Sequence, residues 1–229
     1  NIAKLLRFAT SKTDQQKVSL DAYIKNMPEG QEAIYFITAD SHQAAKNSPH
    51  LEIFKKKDIE VLLLSDRVDE WLVSSLYEYN GKKLQSIAKG DLDLGKLDNE
   101  EQKAEQQKIE KQAKGIIERI KKTLGEKVKD VKVTHRLTDS PACLVVGEHD
   151  ISGNLERILK AAGQNTPESK PILEINPNHE LIKKLEKVDE NQLFSDYASV
   201  IFDQAILAEG GQLDDPIGYV NKVNKFIAK

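Results

Sequence analysis

Three groups of residues have the types and spacing to do chemistry. Residues 90–96 (GDLDLGK) follow the skeleton of a phosphate-cradling loop, in which glycine amides wrap the phosphates, a lysine neutralises them and a following hydroxyl binds magnesium. Leu97 stands where that hydroxyl is needed, and Asp91 and Asp93 would set carboxylates against the phosphates. No buried strand leads in, so the segment reads as a flexible linker. The five histidines, His42, His50, His135, His149 and His179, have no i, i+3 or i+4 pair that would place two ligands on one helix face, which argues against a zinc site. His135, beside Arg136 and near Asp139, fits a charged turn network better than acid–base chemistry. Cys143 lies in the apolar run ACLVV, which lacks the electropositive, accessible setting of a nucleophile. No catalytic, cofactor-binding or metal-ligating residue is assigned.

Bulk properties narrow the classes further. The 229 residues are 39% hydrophobic and 31% charged, enough for one large domain or two ordinary ones. With 34 basic and 37 acidic side chains the formal charge is −3, so no global field holds nucleic acid or an anionic membrane. One cysteine cannot form an internal disulfide, and no run approaches the ~20 apolar residues of a membrane span. A reducing, cytoplasmic compartment is expected. The chain opens without methionine on the stripe Ile2, Leu5, Leu6 and Phe8, which predicts a helix and suggests a piece of something longer.

The elements that must position any site follow from periodicity. Polar residues 10–17 read as a turn, and Ser19 caps a short helix through Tyr23 and Ile24. AIYFITA (33–39) and IEVLLL (59–64) are buried strands separated by helical segments, a βαβ unit with a parallel pair. A helix carrying Trp71 begins at Asp66, and residues 83–88 form an edge strand after the Asn80-Gly81 turn. Residues 98–114 are rich in Glu, Gln and Lys, a solvated helix or hinge and the expected domain boundary. Beyond it, strand 128–137 is expected to pair antiparallel with 142–146, and helix 151–162, strand 171–175 and a helix from Asn176-Pro177 follow. Two last helices, 191–209 and 216–228, close the chain. Residues 1–97 thus form an α/β layer structure and residues 98–229 an α+β unit.

Two apolar features stay open on pattern alone. Ile151, Leu155, Ile158 and Leu159 make one helical stripe that suits either a core or an exposed binding face, and Trp71 suits either a core or a recognition anchor. In the tail, Phe194, Tyr197, Ile201 and Ala205 belong to a helix apolar on more than one face, and Ile217, Val220, Val223 and Ile227 stripe the last helix. Closure on its own domain and a four-helix bundle made with a second copy both satisfy this pattern.

The runs LLRFAT (5–10), EGQEAIYFITADS (29–41), SPHLEIFKKKDIEVLLLSDRVDEWL (48–72), VTHRLTDSPACLV (133–145) and AEGGQLDDP (208–216) resemble the bacterial ninety-kilodalton heat-shock chaperones essentially end to end. The resemblance implies the distal part of that family's middle domain (1–97) followed by its C-terminal dimerisation and client-binding domain (98–229), ending in a dimerising helical hairpin. It implies client contacts at Glu70, Trp71, Ser74, Ile151, Leu155, Ile158 and Leu159. It also implies a homodimer interface at Phe194, Tyr197, Ile201, Ala205, Ile217, Val220, Val223 and Ile227. Isoleucine and leucine stand on the client helix where the bacterial pattern is rich in methionine. On this placement the ATPase domain is absent, so neither turnover nor bound ATP and magnesium is expected in this chain. The implied partners are a second copy, non-native clients and a chaperone of the seventy-kilodalton class. A purely structural dimerisation clamp is the alternative.

Overall fold

A computed structural model describes residues 2–92, 94–97, 100–164 and 169–228. Asp93, and residues 98 and 99 at the expected boundary, lie outside the described residues. The first half is built on a six-stranded sheet of order β2-β1-β4-β3-β6-β5. Its strands are β1 (Phe8–Thr10), β2 (Thr13–Val18), β3 (Ala33–Thr38), β4 (Leu62–Leu64), β5 (Glu78–Tyr79) and β6 (Lys82–Ser86). The helices between them are α1 (Leu20–Asn26), α2 (His42–Lys46), α3 (Glu52–Lys56) and α4 (Asp69–Ser75). The expected βαβ unit is present, since β3 and β4 pair in parallel with Phe36 opposite Leu62.

Strand alternation divides the core between the two faces of this sheet. Ala33, Tyr35 and Ile37 pack with Ala45, Leu51 and Phe54 from the α2–α3 side. Ile34 and Phe36 pack with Leu20 and Tyr23 of α1 and with Leu72 and Val73 of α4. Ser19 caps α1 through the amide of Ala22 at 3.1 Å, as the sequence predicts. Burial of Tyr23 is made tolerable by its hydroxyl, which donates to the Glu60 carbonyl and accepts from Gln31 Nε2 and the Tyr35 amide.

The start of the chain departs from the helix and turn expected there. Ile2–Leu5 form a single 3-10 turn, and Phe8–Thr10 and Thr13–Val18 pair as an antiparallel hairpin docked on β4. Strand β6 is not an edge: it pairs in parallel with β3, and β5 takes the outer place across the Asn80-Gly81 turn, where both residues have positive φ.

The second half contains α5 (Glu100–Gln112), α6 (Lys114–Leu124), β7 (Asp130–Val133), β8 (Ala142–Val145), α7 (Gly153–Ala161), β9 (Ile172–Ile175), α8 (Glu180–Glu186), α9 (Asn191–Ala208) and α10 (Pro216–Ile227). Strands β7 and β8 do not form the expected hairpin. Strand β9 inserts between them, parallel to β7 and antiparallel to β8. Ile116, Ile120 and Leu124 of α6, Leu173 and Ile175 of β9, and Phe194, Tyr197, Ala198, Ile201, Phe202 and Ala205 of α9 fill its core.

The picture of an α/β layer structure followed by an α+β domain ending in a dimerising hairpin therefore needs correction, whereas the charged segment, expected as a hinge or a solvated helix, is the helix α5. The two halves are joined by buried polar contacts. Arg136 donates to the carbonyls of Ile87 and Gly90 while paired with Glu174, and the Ile53 amide donates to the Arg136 carbonyl at 3.1 Å. Glu52 on α3 accepts from the amides of Thr138, Asp139 and Ser140, and buried His50 lies 2.9 Å from Glu209. The last helices are not a free hairpin either, because α9 turns its apolar faces into its own core.

Candidate functional site

The candidate site lies where α4 meets α7. Helix α4 begins without a side-chain cap on Val68, and Asp69 at its first position reaches back to accept the Asp66 amide at 2.9 Å. Burial raises the pKa of that carboxyl above its ordinary value. The next two residues point in opposite directions. Trp71 is 50% exposed, with Val68 and Tyr77 exposed nearby in sequence at 65% and 75%. Glu70 is 5% exposed and points inward, where its Oε1 accepts from Ser152 Oγ at 2.9 Å and Asn154 Nδ2 at 2.8 Å.

Those two donors open α7. Ser152 is the N-cap, its Oγ also accepting from the Leu155 amide at 3.0 Å. Lys89 Nζ donates to the Asp150 carbonyl at 2.7 Å. Burial lowers the Lys89 pKa, and the nearby charges of Glu70 and Asp150 oppose that fall. Farther along α7, Arg157 reaches Asp40 after β3, with Nη2 at 2.9 Å and Nε at 3.1 Å from Oδ2.

This geometry gathers several of the expected client residues. Glu70, Ser74, Ile151 and Leu155 line one cavity of about 490 Å³ together with Phe36, Val73 and Lys89. Ile158 lines a neighbouring cavity of about 300 Å³ with Arg67 and Arg157. Ile151, Leu155, Ile158 and Leu159 are all half-buried, so the stripe is neither a sealed core nor a bare face. Glu70 is engaged within the protein, and exposed Ser74 donates its hydroxyl to the Trp71 carbonyl at 2.8 Å. Sequence reasoning missed Asp40, Lys89, Ser152, Asn154 and Arg157. The N-cap serine was a readable signal, whereas Asp40 and Arg157 stand 117 positions apart and carry none.

The expected pairing surface divides in two. Phe194, Tyr197, Ile201 and Ala205 are buried in the chain's own core, with Arg119 stacked 3.8 Å from the Phe194 ring centre. On α10 no residue is buried, and Ile217, Val220 and Ile227 are 75%, 50% and 78% exposed. Val223 is half-buried, and Phe226 stacks on Tyr197 with ring centres 4.1 Å apart. That stack ties the inner edge of α10 to α9 and leaves its outer stripe open.

Features considered for catalysis are occupied by structure. The Gly90 amide donates to the Val146 carbonyl at 2.9 Å, and Gly90 also meets Arg136 through its own carbonyl. Arg136 belongs to the buried pair with Glu174, His135 lies 3.4 Å from Glu110, and Asp139 accepts from Thr138 Oγ1. Cys143 is fully buried and its thiol pKa is pushed well up by desolvation. Among the described residues, no group of three or more His, Cys, Asp or Glu is placed to hold a metal ion, and no helix is long and apolar enough to cross a membrane.

The Hsp90 protein family model matches residues 1–229. This chain belongs to the Hsp90 family. It is 61% identical over 225 residues to the chaperone protein HtpG of Dechloromonas aromatica, covering 97% of this chain and 35% of that protein. It is 60% identical over 225 residues to HtpG of Methylococcus capsulatus, covering 97% and 36%. With HtpG of Cupriavidus taiwanensis the identity is 58% over 229 residues, covering 99% and 36%. The chain thus spans about a third of the length of the curated relatives it matches.

This Hsp90 match corrects two expectations. Placing the family's ATPase domain outside this chain excludes enzymatic activity, ATP and magnesium from it. The family match runs from the first residue to the last, and neither it nor the described residues remove catalysis or a nucleotide from the chain. That exclusion does not stand. The match is also a single continuous one, in keeping with two sheets tied together by Arg136 and Glu52.

Proposed function

We propose that this chain serves a bacterial Hsp90-type chaperone in the cytoplasm by binding non-native protein through apolar side chains on α4 and α7. The observation that carries this reading is the half-exposed Trp71. A large aromatic left in water, with Val68 and Tyr77 also exposed and the half-buried α7 stripe across the cavity, suits low-specificity capture of unfolded segments. In this division of labour α4 supplies the Trp71 surface, α7 the apolar stripe and α10 the pairing surface. A chaperone of the seventy-kilodalton class is a further partner of the whole protein.

Titration with a labelled, permanently unfolded protein tests the reading. Saturable binding that weakens with Trp71→Glu and with Leu155→Glu supports it, provided both variants keep their melting temperature. Equal binding by both variants and the parent chain overturns it.

A second function has its own support. Helix α10 buries none of its residues and exposes three large aliphatic side chains, which suits pairing with a second copy. We propose that this outer stripe, more than the buried face of α9, makes the homodimer contact. The clamp and the client surface are then parts of one molecule and not competing descriptions of it.

A further inference from the structure

Glu70 sits beside the proposed client anchor Trp71, yet its carboxylate is turned away from solvent. Its Oε1 takes two donors from the start of α7, Ser152 Oγ at 2.9 Å and Asn154 Nδ2 at 2.8 Å. Both donors lie more than 80 positions away in sequence. Ser152 simultaneously caps α7 through the Leu155 amide. The carboxylate is therefore wired to the first turn of the helix that carries Ile151, Leu155, Ile158 and Leu159. Asp40 holds Arg157 in the same way one turn farther on, through two nitrogens on a single oxygen. Lys89, bonded to the Asp150 carbonyl, pins the approach to the helix.

We infer that Glu70 is a positioning residue that acts through α7: by gripping Ser152 and Asn154 it sets the α7 stripe against α4, so that Leu155 and Trp71 present one composite surface to a non-native polypeptide. This rests on the client-binding reading above. A carboxylate that touched client directly would need to face solvent. Glu70 instead commits Oε1 to one hydroxyl and one amide donor in a nearly buried site, where hydrogen bonds to a charged group are among the stronger ones.

The test is a double-mutant cycle with two readouts on the full chain. Glu70→Ala, Asn154→Ala and the double variant are compared for binding of reduced, carboxymethylated α-lactalbumin and for hydrogen exchange of the α7 amides. Each single variant is expected to speed α7 exchange roughly tenfold or more, the scale of a lost charge-assisted hydrogen bond. Each is expected to weaken capture, and the double variant should do little more than either single. Glu70→Gln should keep both readouts closer to the parent chain than Glu70→Ala does, because its amide oxygen can accept the same two donors though without the charge. Asn154→Ala reaches the contact from the α7 side, so the test survives if Glu70→Ala fails to fold.

Additive losses in capture with unchanged α7 exchange would overturn the inference and make Glu70 a direct client contact. So would Glu70→Gln behaving like Glu70→Ala in exchange. If the parent chain captures no unfolded protein, the client reading falls while the exchange cycle still decides whether Glu70 positions α7.

Discussion

Arg136 Nε lies 2.7 Å from Glu174 Oε2, with the two side chains 1% and 6% exposed, and the same guanidinium donates to the Ile87 and Gly90 carbonyls of the other half. One side chain thus neutralises a buried carboxylate on β9 and ties it to the end of β6. Guanidinium suits this role because its planar fork keeps several donors aimed at once, which a lysine ammonium cannot reproduce.

Removing one partner should be severe. Arg136→Met leaves the Glu174 carboxyl unpaired in a buried site and strips two carbonyls of their donor. Breaking such a pair costs about 3–5 kcal/mol, which is a large share of a domain's stability. Urea unfolding of the variant should show that loss and should separate into two transitions, since the joint between the halves goes with it. Replacement of both partners by apolar residues should recover part of the stability.

On the surface the expected outcome is different. Trp71→Ala removes a half-exposed ring from α4 and should leave the melting temperature within a degree or two of the parent value. Capture of an unfolded protein should fall by about tenfold or more, the scale for truncating an aromatic anchor. Calorimetry and fluorescence anisotropy on the same preparation check both halves of this prediction.

Helix α10 offers a test of self-association that does not disturb the core. Ile217→Asp combined with Ile227→Asp adds charge only to side chains that are already exposed. Light scattering across a dilution series should shift a dimer toward monomer, with the circular dichroism spectrum unchanged. Tyr197→Ala should act otherwise, loosening the Phe226 stack and lowering stability by about 3 kcal/mol as an aromatic core truncation does.

Cys143 provides a probe of native packing. The thiol is wholly buried and burial pushes its pKa well up, so little thiolate forms and none of it is accessible. A thiol-specific reagent at pH 8 should react with the native protein only at the rate of unfolding. Arg136→Met should speed that labelling, because Cys143 lies on β8 beside the strand that carries Glu174.

Much of this protein is local and therefore readable from sequence. The buried runs at 33–39 and 59–64, the Ser19 cap and the Asn80-Gly81 turn each depend on neighbouring residues and on strand or helix periodicity. The long helices at the end of the chain, α9 and α10, fall within about a residue of the ranges expected from their apolar spacing. The family resemblance was legible too, because its motifs are contiguous.

What tertiary structure alone decided involves pairings between distant residues. Residues 2–8 carry a helical stripe, yet Phe8–Thr10 become a strand because β4 offers an unpaired edge. Strand β9 enters between β7 and β8 because sheet order depends on which backbones meet, and a hydrophobic strand pattern is the same beside either neighbour. Helix α9 is apolar on more than one face and buries those faces in the chain's own core, whereas the single stripe of α10 meets that core only along its Phe226 edge. Glu70 reads as a surface residue next to Trp71 until α7 arrives with two donors. Hydrophobic periodicity reports that a face must be covered, and only the folded chain supplies what covers it.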